Sequence, residues 1–212
     1  MRNSIEKFPL YRYRFWIGFG LLAILTFLFA AWDFWRIPNG LTDGEMATAS
    51  LSGQLNFREI LHGSIDLINL PFLILQKLSI ELFGFSTFAL RLPSVILSLF
   101  AMEMLTLALT FYERRDAAMI SVFLVATSPL FLSLARSGDA GSMTIFLGSA
   151  FILAAILLLS GRFRGWQSTT LRLIICLLAA LLIYMPGGLI VIGLLIVFGL
   201  VHPNMRYEFF RN

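Results

Sequence analysis

Charge is what this chain has least of. Asp, Glu, Lys and Arg make up 13% of its 212 residues against 58% hydrophobic ones, and the mean hydropathy is +0.86. An ordinary soluble domain carries far more charge than this, so a water-soluble globule is excluded. The single cysteine, Cys176, lies inside an apolar run, which rules out an intrachain disulfide and suggests no redox role. The only histidines, His62 and His202, are expected on opposite membrane faces, and no metal-ligand spacing occurs. A P-loop, a Rossmann glycine fingerprint and a Ser-His-Asp pattern are all missing. No cofactor or metal is therefore expected. The net charge of +4 comes from short loops that meet anionic lipid, so nucleic acid is not an expected partner.

What the chain does contain is a series of apolar runs with Lys and Arg at alternate ends. The spans read as 15–35, 88–112, 117–135, 141–160, 171–185 and 188–201, the longer ones matching the ~20 residues that a bilayer crossing requires. The first has no small-residue cleavage site after it and is read as a retained anchor. Residues 69–83 are apolar but short. Lys77 and Glu81 share one helical face there, with Ile74, Leu75, Leu78 and Leu82 opposite, which suits a helix lying in the interface plane. If this segment does not cross, eleven of the sixteen basic residues fall on one side, in the N-terminus, the loops around 113–116 and 161–172, and the C-terminal tail. The positive-inside rule then makes that side the cytoplasm. The expected fold is all-α: one membrane module over 1–212, about six spans, and interfacial helices in a long first extracytoplasmic loop, 36–87. The last two spans, at fifteen and fourteen residues, are about 21–23 Å long at the ~1.5 Å helical rise, short of a ~30 Å hydrocarbon core. Their Pro186-Gly187-Gly188 turn is therefore expected below the outer surface, with a recess above it.

The outer segments hold most of the remaining ionisable groups, among them Asp43, Glu45, Arg58, His62, Lys77, Arg136 and Asp139. In order along the chain come Pro38-Asn39-Gly40-Leu41-Thr42-Asp43-Gly44-Glu45, Asn69-Leu70-Pro71-Phe72, Leu82-Phe83-Gly84-Phe85-Ser86 and Ala89-Leu90-Arg91-Leu92-Pro93-Ser94. Ser128-Pro129-Leu130-Phe131, Ala135-Arg136-Ser137-Gly138-Asp139 and Tyr184-Met185-Pro186-Gly187-Gly188 follow. This order resembles the N-terminal membrane module of the GT-C glycosyltransferases of the protein O-mannosyltransferase and aminoarabinose lipid A transferase kind, over roughly residues 10–200.

The resemblance implies an enzyme of the cytoplasmic membrane that moves a sugar from a polyprenyl-phosphate carrier to an acceptor on the extracytoplasmic face. Asp43 and Glu45 would then be the catalytic acids, and Arg58, Lys77, Arg91, Arg136 and Asp139 the substrate-binding groups. The chain departs from the family pattern at two points: Gly44 precedes Glu45 where the family has an adjacent Asp-Glu pair, and Asn69-Leu70-Pro71 replaces a His-Pro-Pro-like segment. Family members also continue through more spans. The alternative reading is accordingly a non-catalytic subunit that binds the lipid carrier or assists assembly, with a second polypeptide supplying a C-terminal half; membrane lipid is a partner in either case.

Each candidate also has a structural reading. Thr42-Asp43-Gly44-Glu45 fits a capping box, Asp43 suits a helix N-terminus, Arg91 can snorkel to headgroups, and Arg136 and Asp139 can neutralise each other across a tight loop. Glu103, in mid-span, is costly in lipid and should face the bundle. Five residues, Asp43, Glu45, Arg91, Arg136 and Asp139, are expected to converge on one outward-facing pocket. The topology has a direct test: in a Cys176→Ser background, cysteines at Gly84 and Arg115 should label from opposite sides of the membrane. Labelling of both from outside would overturn the six-span arrangement.

Overall fold

The computed structural model describes residues 9–31, 41–54, 69–160 and 165–201. Arg58, His62, the end of the first span, the 161–164 connection and the C-terminal tail lie outside the described residues. All regular structure among them is helical: α1 Pro9–Ala31, α2 Asp43–Gln54, α3 Leu70–Phe83, α4 Thr87–Leu109, α5 Arg115–Ala126, α6 Pro129–Arg136, α7 Gly141–Leu159, α8 Trp166–Ile183 and α9 Gly188–Val201. The all-α expectation holds. By length and composition α4, α7 and α8 can each cross a membrane, and α5 with α6 makes a fourth candidate, bent by 67°.

That bend divides the span expected over 117–135 into two helices. Thr127 and Ser128 interrupt the apolar run, and Pro129 cannot donate to the preceding turn, so the helix restarts there. Ser128 caps the new start by accepting from Phe131 N–H at 3.3 Å. A correction concerns α8. It begins at Trp166 rather than Leu171 because the polar Gln167-Ser168-Thr169-Thr170 stretch is also helical. Its 18 residues span about 27 Å, while α9 keeps the 14 residues expected of it. The turn itself is tight. Gly187 has φ 75, and a Cβ at Gly188 would overlap the Leu182 carbonyl oxygen. It is also tied down, with Tyr184 O accepting from Asn69 N–H at 2.9 Å and Pro186 O from the Thr144 hydroxyl at 3.2 Å.

Among the described residues three apolar clusters hold the bundle, the smallest being Ala108 of α4 with Leu153 and Ile156 of α7. Leu22 of α1, Val95 and Met102 of α4, Val122 of α5 and Phe131 of α6 form one. Phe72 of α3, Leu97 of α4, Met143 and Leu147 of α7 and Leu182 of α8 form another. At one end the Arg115 guanidinium lies 5.0 Å from the Phe15 ring, pairing the start of α1 with the start of α5. At the other end meet the close of α1, the starts of α4, α7 and α9, and the short helices α2 and α3.

α3 docks on α4 with an unexpected face. Phe72, Leu73, Gln76 and Ser79 are buried, while Ile74, Leu78 and Leu82 are exposed. Pro93 sits inside α4 and has no N–H to give the Ala89 carbonyl, leaving that acceptor open. The Ser79 hydroxyl donates to Ala89 O at 2.6 Å, and the Gln76 amide donates to Leu90 O at 3.2 Å. Ser79 thus completes the hydrogen bond that proline leaves unmade, and Gln76 adds a second tie one residue on. Lys77 pairs weakly with Glu81 at 3.9 Å on the solvent-facing side.

Ser79→Ala should cost about 1–3 kcal/mol, the penalty for an unmet buried acceptor. In a Pro93→Ala background the helix supplies its own N–H, so the same substitution should cost much less. Thermal unfolding in detergent measures both, and equal costs in the two backgrounds would refute the compensation. Because Gly84 holds φ 76, Phe85, 69% exposed, is the better position for a reporter cysteine in the topology test.

Candidate functional site

The capping box expected at the start of α2 forms. Glu45 N–H donates to the Thr42 hydroxyl at 3.3 Å, and Thr42 N–H donates to Glu45 Oε2 at 2.9 Å. Yet Glu45 does far more than cap. It is 1% exposed, and Arg91, itself buried near the start of α4, grips it through both oxygens: Nε to Oε1 at 2.7 Å and Nη2 to Oε2 at 2.9 Å. This is the planar fork that guanidinium and carboxylate make. Oε1 also accepts from Gly138 N–H at 2.8 Å.

Gly138 is the point where four elements meet. Its carbonyl accepts from the Thr48 hydroxyl of α2 at 3.1 Å and from the Gln76 amide of α3 at 3.4 Å. A Cβ there would stand 3.2 Å from Leu90 O and 3.5 Å from Glu45 Cγ. Glycine is required by close approach, not by an unusual φ. Burial alone raises the Glu45 carboxyl, but donation from Arg91, Thr42 and Gly138, with the nearby positive charge, outweighs it and lowers the carboxyl from 4.5 to about 2.

The expected residues therefore fall into distinct positions. Glu45 and Arg91 meet directly, and Gly138, between Arg136 and Asp139 in the chain, joins them. Asp43 opens α2 and is exposed. Asp139 is exposed too, its carboxylate accepting from Ala140 N–H at 2.7 Å just before α7 begins. Arg136 ends α6 and donates from Nη2 to Phe29 O at 2.6 Å, satisfying a carbonyl in the last turn of α1. Its Nε is buried without a hydrogen-bond partner among the described residues. No Arg136–Asp139 ion pair is present among the described residues, so the neutralising pair expected across the loop is not made. Lys77 lies 3.9 Å from Glu81.

Thr48, Gln76 and Gly138 escaped the sequence reading. Gln76 in an otherwise apolar helix, three residues before Ser79, was the available signal, since a buried amide must find partners. Among the described residues no three His, Cys, Asp or Glu side chains gather as they would to hold a metal ion.

Replacing Arg91 by Met would leave a buried carboxylate uncompensated and should cost about 3–5 kcal/mol. The pH dependence follows from the direction of the Glu45 shift. Its folded-state value is below the unfolded one, so its stabilisation is fully present above about 4.5 and is lost as pH falls toward about 2. Thermal melts should show this acid limb in the parent protein and lose it in Glu45→Gln; an unchanged limb in that variant would assign it to another group.

A family model described as dolichyl-phosphate-mannose-protein mannosyltransferase matches residues 70–211. No curated protein and no solved structure matches the chain. The matched stretch contains Lys77, Arg91, Arg136 and Asp139, while Asp43 and Glu45 precede it. With two thirds of its length matched and a bundle of apolar helices to carry the match, the chain belongs to the dolichyl-phosphate-mannose-protein mannosyltransferase family of GT-C membrane glycosyltransferases.

Proposed function

We propose that the protein transfers a sugar from a polyprenyl-phosphate carrier to an acceptor hydroxyl on the extracytoplasmic face, at the junction of α2, α4 and the 137–140 turn. The observation that carries this reading is the division of labour at that junction. Glu45 and Arg91 are spent on each other, while Asp43 is exposed at the start of α2 and Arg136 is half-buried, its Nε without a hydrogen-bond partner among the described residues.

Asp43 is the general base. Its carboxylate takes the proton from the acceptor hydroxyl while that oxygen bonds to the anomeric carbon. The anomeric carbon–phosphate oxygen bond breaks on the opposite face, giving inversion, and the polyprenyl phosphate leaves as an anion. Arg136 stabilises that anion, aided by the N-terminus of α7. Glu45, Arg91 and Gly138 are positioning residues. They hold the first turn of α2 against the turn that carries Arg136 and Asp139, and such pre-organisation is what a transfer between two bound substrates needs. Arg58, outside the described residues, and Lys77 are second-line candidates for the carrier phosphate.

In this reading six helical segments cross the cytoplasmic membrane. The junction faces outward, both termini lie inside, and the exposed Ile74, Leu78 and Leu82 of α3 rest in the outer interface.

With polyprenyl-phosphate mannose as donor and the protein reconstituted in liposomes, Asp43→Asn should lower the transfer rate about 10²–10⁴-fold. Arg136→Lys, which keeps charge but loses the fork, should lower it about 10²-fold. Donor binding should survive the first substitution and weaken with the second. Unchanged transfer in both variants would remove the site from this junction.

A further inference from the structure

Three successive backbone N–H groups in the turn between α6 and α7 have different fates. Gly138 N–H goes to Glu45 Oε1 at 2.8 Å, and Ala140 N–H goes to the Asp139 carboxylate at 2.7 Å. The Asp139 N–H between them has no acceptor among the described residues. Asp139 is exposed, whereas Gly138 and Ala140 are buried.

The direction of that open donor is set by the carbonyl on the same peptide. Among the described residues no backbone N–H donates to Gly138 O. Its donors are the Thr48 hydroxyl at 3.1 Å and the Gln76 amide at 3.4 Å, and both side chains are buried. In a planar trans peptide the C=O and the N–H point in opposite directions. Two buried side chains hold the carbonyl inward, so the Asp139 N–H is turned outward. The Ser142 hydroxyl donates to Asp139 O at 3.2 Å, which ties down the following peptide as well.

Stability alone is a weak reason for Gln76 to be here. It is fully buried, and its Oε1 has no hydrogen-bond partner among the described residues. A half-satisfied buried amide is a worse choice than an apolar side chain of similar size. What Gln76 and Thr48 supply together is a fixed peptide plane. Three residues before Asp139, the Arg136 Nε is likewise without a hydrogen-bond partner among the described residues.

We propose that Thr48 and Gln76 are positioning residues for the carrier phosphate: by holding the Gly138 carbonyl they present the Asp139 N–H to a phosphate oxygen, in concert with the Arg136 guanidinium. A backbone donor fixed in advance is suited to charge that grows on a leaving oxygen. The inference rests on the reading of the junction as the transfer site, and the outcomes of its test tell the two apart.

The test reads binding without turnover. In nanodiscs, polyprenyl phosphate competes with the neutral polyprenol of the same chain length, and native mass spectrometry gives the ratio bound. The parent protein should prefer the phosphate. Thr48→Val and Gln76→Met, each close in volume to the residue replaced, should lower that preference about tenfold, the scale of one hydrogen bond to a charged group, with polyprenol binding unchanged. Thr48→Ser, which keeps the hydroxyl, should keep the preference. An undiminished preference in Thr48→Val and Gln76→Met would overturn the positioning roles. So would an equal loss of both lipids, which marks a purely structural contribution. A parent that binds the two lipids alike would overturn the inference and the transfer reading together. The expected ratios, with transfer untouched by Asp43→Asn and Arg136→Lys, would overturn the transfer reading alone.

Discussion

The arrangement of this molecule at its polar end depends on one buried ion pair. Glu45 and Arg91 are far apart in sequence and both nearly inaccessible, so each would be prohibitively costly alone and each is tolerable only with the other. A lone pair of this kind adds little stability beyond what well-packed apolar residues would give. What it confers is geometry, because a fork with two fixed distances admits one orientation of α2 on α4. Glu45 then has one lone pair left over for the Gly138 amide, and the turn between α6 and α7 is brought into register by the same carboxylate. Three segments that no local preference would assemble are indexed to a single side chain.

A second dependence runs through Pro93. A proline inside a long apolar helix usually signals a kink, but here its consequence is a docking surface. The Ala89 and Leu90 carbonyls accept from the side chains of a neighbouring helix, so α3 is held by hydrogen bonds where it would otherwise have only aliphatic contact. In a low-dielectric setting those bonds carry a heavy penalty if unmade. That gives α3 a defined rotation about its axis and explains why its apolar Ile74, Leu78 and Leu82 stripe faces away from the bundle.

The features legible in the sequence are those with a strong local cause. Apolar length announced α4, α7 and the last two helices, and S/T-x-x-E announced the start of α2. The order of short motifs placed the chain in its family. The break at Thr127 and Ser128 was hidden because both residues are neutral enough to pass within an apolar window. The early start of α8 was hidden because a polar helical stretch has no hydropathy signature. At the site, Asp43, Glu45 and Arg91 could be singled out by type and position, yet their pairing could not. Whether an arginine meets a phosphate or a carboxylate is decided by a contact across 46 positions of chain, and nothing in the local sequence specifies it. Gly138 was invisible for the same reason, since its importance lies in what crowds around it.

The hairpin of α8 and α9 has a consequence for how the protein enters a bilayer. From Leu173 to Met205 there is no Lys, Arg, Asp or Glu, and the turn between the helices is closed by glycines that admit no side chain at Gly188. The hairpin can therefore partition into lipid as one unit, with no charged group to carry across at its tip. The bonds that then anchor the tip, from Asn69 and Thr144, require α3 and α7 to be in place already. Synthesis order supplies this, because both helices precede the hairpin in the chain. The tip of this hairpin is thus also what ties α3 to α7 and α8.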